Sequence, residues 1–263
     1  MAERKLTVAD VIREVDAIAP PGLAEAWDCA GLQAGKRAQE VRGVLAALDV
    51  TEEVVAEALR LGCDMIVAHH PILFRGTKTL CEDEPSGALA AALIRGGIAL
   101  YTAHTALDRT HGGVNDELAR RIGLTDVKVM EDGYVRMGNW DGGDCGALLQ
   151  QVCCALCVPG ATLYGNPAYP ARKVGLCSGS GMDYRGSARD ADVYITGDVT
   201  HHDALDALVE GLAILDIGHR GGELAAVDVL ARGLQTALSG VEYSVRVCVS
   251  VVNPYAFTAK FER

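Results

Sequence analysis

Aromatic side chains are scarce in this chain. Two Trp, eight Tyr and three Phe make 5% of 263 residues, so a core must be built mostly from Ala, Val, Leu and Ile. Long apolar runs are missing: none approaches the roughly 20 residues of a membrane-spanning helix, and no membrane role is expected. Positive charge is in deficit, 24 Lys and Arg against 35 Asp and Glu, for a formal net charge of −11. Non-specific nucleic-acid binding needs a basic surface, so that class is excluded, although a nucleotide could still sit in a local pocket. There is no P-loop lysine and no complete dinucleotide fingerprint. Residues 1–19 lack a signal peptide's pattern. They place Leu6, Val8, Val11, Ile12, Val15 and Ile18 among charges, as an amphipathic helix does. With nine cysteines and no leader, reduced thiols in a cytoplasm are expected.

Four cysteines cluster at Cys145, Cys153, Cys154 and Cys157. Cys154 and Cys157 have C-x-x-C spacing, but no second C-x-x-C completes a structural zinc site. The segment Gly146–Val158 reads as one helix with Cys145, Leu148, Leu149, Val152 and Leu156 on its apolar face. Packed or partly exposed free thiols are therefore expected.

Hydrophobic residues at 49% and charged residues at 22% suit a globular protein with a proper core, as one large domain or two compact ones. The organising stretch is Met65–Ile66–Val67–Ala68, a short apolar run followed at once by His69, His70 and Pro71. Such a run reads as a strand of a parallel sheet. The histidines then fall past its carboxyl end, where open α/β sheets place ligands. Pro71 restrains the residue before it to extended geometry.

Further strands are expected at Val41–Val50, Ile98–Ala103, Lys173–Cys177, Ala191–Thr196, Leu212–Ile217 and Val241–Val252. Helices are expected at 51–61, with Thr51 as cap and Gly62 as stop, at Ser86–Arg95, at Val114–Ile122 and after Asp198. Ala24–Gly35 reads as a loop in which Trp27 anchors to the core. Residues 125–132 read as a connection, and Ala161–Tyr169 as turn-rich chain. Two stretches echo each other across the halves. Residues 63–70 parallel 191–198, and 97–104 parallel 212–219. The expectation is an α/β protein of two similar units, 1–127 and 128–263, with the last strand able to pack back on the first.

Past the strand ends lie His69, His70, His104, Asp108, Asp198, His201, His202, His219 and Glu223. They use every histidine but His111. Six imidazoles gathered at four strand ends point to metal. Imidazole with carboxylate, and no thiolate, suits zinc, manganese, iron, cobalt or nickel. Carboxylates can bridge two ions ~3.5–4 Å apart, the arrangement that clamps attacking and leaving oxygens in hydrolysis. His219 and Glu223, four apart at a helix entry, can reach one ion. His69 and His70, being neighbours, can approach different ions. His104 is open to two readings, a ligand or a base behind the ligands. Asp198, His201 and His202 could support the site or substrate, or simply start a helix with Asp198 as cap. Ser178, Gly179, Ser180 and Gly181 form a turn whose N–H groups could cradle a phosphate, or a plain turn.

The ordered set AWDCAGLQAG (26–35), LDVTEEVVAEA (48–58), AHHP (68–71), AHTALD (103–108), GSG (179–181), ADVYITGDVTHHDALDA (191–207) and GHRGGE (218–223) resembles the Nif-three-like dinuclear metal-centre family, the type 2 GTP cyclohydrolase I homologues, over nearly the whole chain. The resemblance implies two interlinked α/β units of three-layer type with a dinuclear metal site at their interface, assembled into a ring-like homohexamer. It implies two divalent ions per subunit, held by His69, His70, Asp108, His219 and Glu223, with Asp108 bridging. It implies hydrolysis of a nucleotide or related heterocycle, with GTP opened at its imidazole ring and formate released. His104 would then move protons, and Trp27 and Asp28 would stand near substrate or behind the ligands. The rival from another class is a metal-binding or metal-handling protein with little catalysis; phosphodiesterase activity is a third reading. Two departures from the family pattern, Cys29 where Asn is usual and Gly222 where a hydroxyl residue is usual, bear on substrate contacts and not on the proposed ligands.

Overall fold

The computed structural model describes residues 5–74, 77, 79–239 and 245–255. In chain order its elements are α1 (Val8–Ile18), β1 (Gly31–Ala34), β2 (Gly43–Ala47), α2 (Glu52–Leu61), β3 (Met65–Ala68), α3 (Pro85–Gly96), β4 (Ala99–Thr102), α4 (His104–Arg109), α5 (Val114–Ile122), β5 (Thr125–Val129), β6 (Arg136–Asn139), α6 (Cys145–Leu156), β7 (Thr162–Tyr164), β8 (Lys173–Leu176), β9 (Val193–Thr196), α7 (His201–Val209), β10 (Ala213–Asp216), α8 (His219–Glu223), α9 (Ala225–Ser239) and β11 (Arg246–Val249). Contacts divide the chain into two compact α/β units, Met1–His104 with Leu230–Arg263, and Thr105–Val229.

The first unit holds a five-stranded sheet in the order β1-β4-β3-β2-β11. Only β1 is antiparallel to its neighbour. β3 lies between two parallel partners, and all four of its side chains are buried, so it is apolar without alternation. Leu45, Ile66, Leu93 and Leu100 pack in one cluster with Val54, Val55 and Ala58 of α2. Each large aliphatic buried there contributes roughly 1.5–3 kcal/mol. α2 begins where the Thr51 hydroxyl accepts the Val54 N–H at 3.3 Å and ends at Gly62 in the left-handed region, φ 64°. That tight stop lets the chain enter β3 within three residues.

The second unit holds a six-stranded sheet in the order β5-β6-β8-β9-β10-β7. β8, β9 and β10 are parallel, and the outer strands are antiparallel. Tyr134, Met137, Met182, Tyr194 and Ile214 pack together in its core. The echo of 63–70 in 191–198 falls on β3 and β9. The second echo is displaced by one residue. Met65 pairs with Ala99 and Val193 with Ala213, whereas the sequence echo sets Ala99 against Ile214. One residue separates β4 from α4, and two separate β10 from α8, which accounts for the shift.

Three expected loops carry strands. The 125–132 connection contains β5, Ala24–Gly35 ends in β1, and the turn-rich 161–169 contains β7. All three are sheet edges, where one flank is unpaired and the apolar pattern is weak. β5 is exposed along its whole length. The unit boundary lies at 104/105, where a cut at 127/128 was expected. β5 pairs with β6, which draws residues 125–129 into the second unit. β11 pairs parallel with β2, within the first unit. Of the expected strand 241–252, residues 241–244 lie outside the described residues, as do residues 1–4 of the expected N-terminal helix. Among the described residues no helix is long and apolar enough to cross a membrane. Cys145 is buried, while Cys154 and Cys157 are exposed. Burial pushes the Cys145 and Cys153 thiols above their ordinary range, which disfavours the thiolate that a metal requires.

Candidate metal centre

In the first unit the site is built at the ends of β2, β3 and β4. The His69 and His70 N–H groups donate to Ala47 and Leu48 carbonyls at 3.1 and 2.9 Å, and the His104 N–H donates to the His69 carbonyl at 3.1 Å. The sheet ladder thus continues one step past the strands and fixes three histidine backbones. His69 is fully buried, and His70 and His104 are partly exposed. Each of the three offers a ring nitrogen, and these nitrogens lie within 4.8 Å of one another. His70 Nδ1 sits 2.8 Å from Asp49 Oδ1, and His104 Nδ1 sits 2.7 Å from Asp28 Oδ1. A carboxylate at Nδ1 takes that nitrogen's proton in hydrogen bonding and leaves the Nε2 lone pair to face outward. The Asp28 carboxylate also accepts the Cys29 N–H at 2.6 Å.

In the second unit Asp108 is carried on α4, and His219 and Glu223 open and close α8. One turn of helix sets His219 Nε2 2.9 Å from Glu223 Oε2. His219 Nδ1 is 2.6 Å from Asp198 Oδ2. Glu223 first, and then Asp198, raise His219 to about 9 against the opposing cost of burial. Asp108 and Glu223 are both buried, and their oxygens lie within 4.8 Å of each other. Asp108 is held by Ser178, read from the sequence only as part of a turn, and by Asn115, which sequence reading left out. Ser178 Oγ donates to Asp108 Oδ1 at 3.1 Å, and Asn115 Nδ2 donates to the Asp108 carbonyl at 3.0 Å. Asn115 Oδ1 in turn accepts the Ser178 N–H at 2.7 Å. Asn115 is fully buried. Nothing in the sequence near Asn115 signals this, because its partner lies 63 residues away. Asp49 was likewise legible only as the end of a strand.

The turn after β8 serves Glu223. Gly179 has φ +59°, and a Cβ there would stand 2.1 Å from Glu223 Oε1. A Cβ at Gly222 would come within 3.2 Å of the Gly179 N, so the departure at Gly222 keeps these two segments close without strain. As a phosphate cradle the turn is partly committed. The Gly181 N–H donates to Thr196 Oγ1 at 2.9 Å and the Ser178 N–H to Asn115. Ser180 is exposed. Asp198 is not the cap of α7. Thr200 is, accepting the Asp203 N–H at 3.3 Å, and Asp198 turns to His219. His201 and His202 are exposed at the start of α7, their rings edge-on to each other at 5.3 Å.

The donor set fits a divalent transition ion: imidazole nitrogens, buried carboxylate oxygens, and carboxylates bonded to the far nitrogens of His70, His104 and His219. A cavity of about 530 Å³ in the second unit, lined by residues including Trp140, Asp144 and Arg172, contains none of these ligands. The candidate centre rests on its donor chemistry.

The sequence profile of Duf34/NIF3 (NGG1p interacting factor 3) matches residues 6–255. A Lactococcus lactis protein named GTP cyclohydrolase 1 type 2 homolog is 35% identical over 81% of this chain and 86% of its own. A Clostridium perfringens protein of the same name is 34% identical over 90% of this chain and 94% of its own. The crystal structure of a Bacillus cereus protein related to NIF3 superposes with a TM-score of 0.93, at 25% identity, covering 98% of this chain and 100% of that one.

Proposed function

The chain belongs to the Duf34/NIF3 family, and from that premise we propose that it is a dinuclear metal-dependent hydrolase of a nucleotide or related heterocycle. The observation that carries the reading is the carboxylate behind each of three imidazoles: Asp49 on His70, Asp28 on His104 and Asp198 on His219. Such pairs fix the ring and its tautomer and raise its basicity as a ligand. In this reading His69, His70, Asp108, His219 and Glu223 are the residues that would hold two divalent ions. α4 supports it, since the helix starts at His104 and carries Asp108 one turn later.

Bound there, the ions would supply Lewis acidity, polarising an electrophilic centre and lowering the pKa of water. The chain's own groups do the rest. Ser178 and Asn115 hold the Asp108 carboxylate, Gly179 leaves room for Glu223, and Asp28 holds His104 with Nε2 outward to take or give a proton. The relatives' name, GTP cyclohydrolase 1 type 2 homolog, supports GTP as the first substrate to try. Assembly as a homohexamer is part of the same proposal, and light scattering on the eluting protein tests it.

The rival reading is a metal-binding or metal-handling protein, which the same imidazole and carboxylate donors would serve. Protein loaded in turn with manganese, zinc and iron, then incubated with GTP and a panel of phosphoesters, separates the two. A metal-dependent product that vanishes in Asp108→Ala supports the hydrolase. Stoichiometric metal with no product from any substrate supports the binder. Products from phosphoesters but not from ring carbons would make it a phosphodiesterase.

A further inference from the structure

Trp27 and Phe74 are 56% and 49% exposed in a chain with only two Trp and three Phe. Exposing large aromatic surface is unfavourable, and here both rings flank the same histidine. Trp27 and His104 lie 6.2 Å apart at 78°, Phe74 and His104 5.7 Å apart at 87°, and Trp27 and Phe74 6.0 Å apart at 81°. Edge-to-face contacts use one rim or face of each ring, which leaves open aromatic surface around His104. The two segments are tied in this arrangement. Gln33 Oε1 accepts the Ile72 and Leu73 N–H groups at 2.8 and 3.3 Å, and Gln33 Nε2 donates to the Cys29 carbonyl at 2.7 Å. One amide thus joins the chain next to Phe74 to the chain next to Trp27, and Cys29 Sγ reaches the Phe74 carbonyl at 3.7 Å.

We infer that Trp27 and Phe74 form an aromatic grip, set by Gln33, which holds a planar heteroaromatic ring against His104. This rests on the hydrolase reading and deepens it, because it turns the ring of a substrate, and not its phosphate or sugar, toward the imidazole. Stacking tolerates any flat heterocycle, so the grip fixes the ligand's class while His104 meets the polar edge of the ring. An aromatic face is worth roughly five- to 150-fold in affinity for a stacked base.

The test is intrinsic fluorescence of Trp27 in a Trp140→Phe background, titrated with guanosine, adenosine and nicotinamide, with ribose 5-phosphate as the ring-free probe. Metal content is measured on the same samples. Quenching by the ring compounds and none by ribose 5-phosphate is expected. Phe74→Ala should weaken binding about tenfold, Phe74→Tyr should restore it, and Gln33→Ala should weaken it with Trp27 and Phe74 both intact. Quenching by ribose 5-phosphate alone, quenching by no ring compound, or equal affinity in Phe74→Ala would overturn the inference. Metal-loaded protein with no ring binding leaves the hydrolase reading standing. Ring binding by protein that takes up no metal leaves the grip standing and removes the hydrolase.

Discussion

His104 and Asp28, 76 residues apart in sequence, meet at 2.7 Å through Nδ1 and Oδ1, and the Asp28 side chain is fully covered. A covered carboxylate that also holds the Cys29 N–H cannot turn away from the ring. It selects the imidazole tautomer with hydrogen on Nδ1. In Asp28→Asn that preference is expected to collapse. Imidazole ¹⁵N NMR should show His104 protonated at Nδ1 in the natural protein and redistributed in the variant. Turnover, where measured, should fall about 10–100-fold.

Gly179→Ala is expected to harm Glu223 and the backbone together. The new Cβ would lie 2.1 Å from Glu223 Oε1 at φ +59°. The left-handed conformation alone costs an L-residue about 1–2 kcal/mol. Denaturant unfolding should show at least that loss, and metal content should fall because Glu223 is displaced.

His219 gives the site a pH dependence of definite sign. Its pKa is raised to about 9, chiefly by Glu223 and further by Asp198. In the metal-free protein the ring is therefore protonated at pH 7.5, and an incoming ion must displace that proton. Calorimetry in two buffers of different ionisation enthalpy should detect proton release. Affinity should climb with pH and level off above about 9. For the metal-free fold, the His219–Glu223 pair contributes stability that is full below the ordinary histidine pKa and is lost as pH rises through the raised one.

Arg136 is fully buried, with its Nε 2.5 Å from Asp116 Oδ1 and its other nitrogens on the carbonyls of Gly133, Tyr134 and Thr110. Breaking a buried ion pair by removing one partner costs about 3–5 kcal/mol. Arg136→Met should lose that much in urea unfolding. Arg136→Lys should recover little of it, since an ammonium cannot reach the same fork of acceptors.

The parallel centre of each sheet was legible in the sequence. β3 and β9 are short apolar runs that end in polar residues, and Thr51 and Gly62 mark both ends of α2. The candidate donors stood out because histidine is rare and six of the seven fall after strands. Edge strands were not, since β5 is wholly exposed and shows no apolar alternation. The return of the last strand to the first unit was legible, and β11 pairs there with β2, some 200 residues away in sequence. Asp198 read equally as a helix cap or as support for the site; Thr200 stands one residue before the helix and takes the cap, and Asp198 meets His219. The Asn115–Ser178–Asp108 chain of hydrogen bonds is non-local, and no local pattern announces it.

Elemental analysis of protein purified without added metal bears most directly on the proposal that the chain's imidazoles and carboxylates hold two divalent ions. The account expects two equivalents of a transition ion per chain, reduced in His70→Ala and in His219→Ala alike. Metal-free protein that also takes up none on loading, or metal content unchanged in both variants, would contradict it.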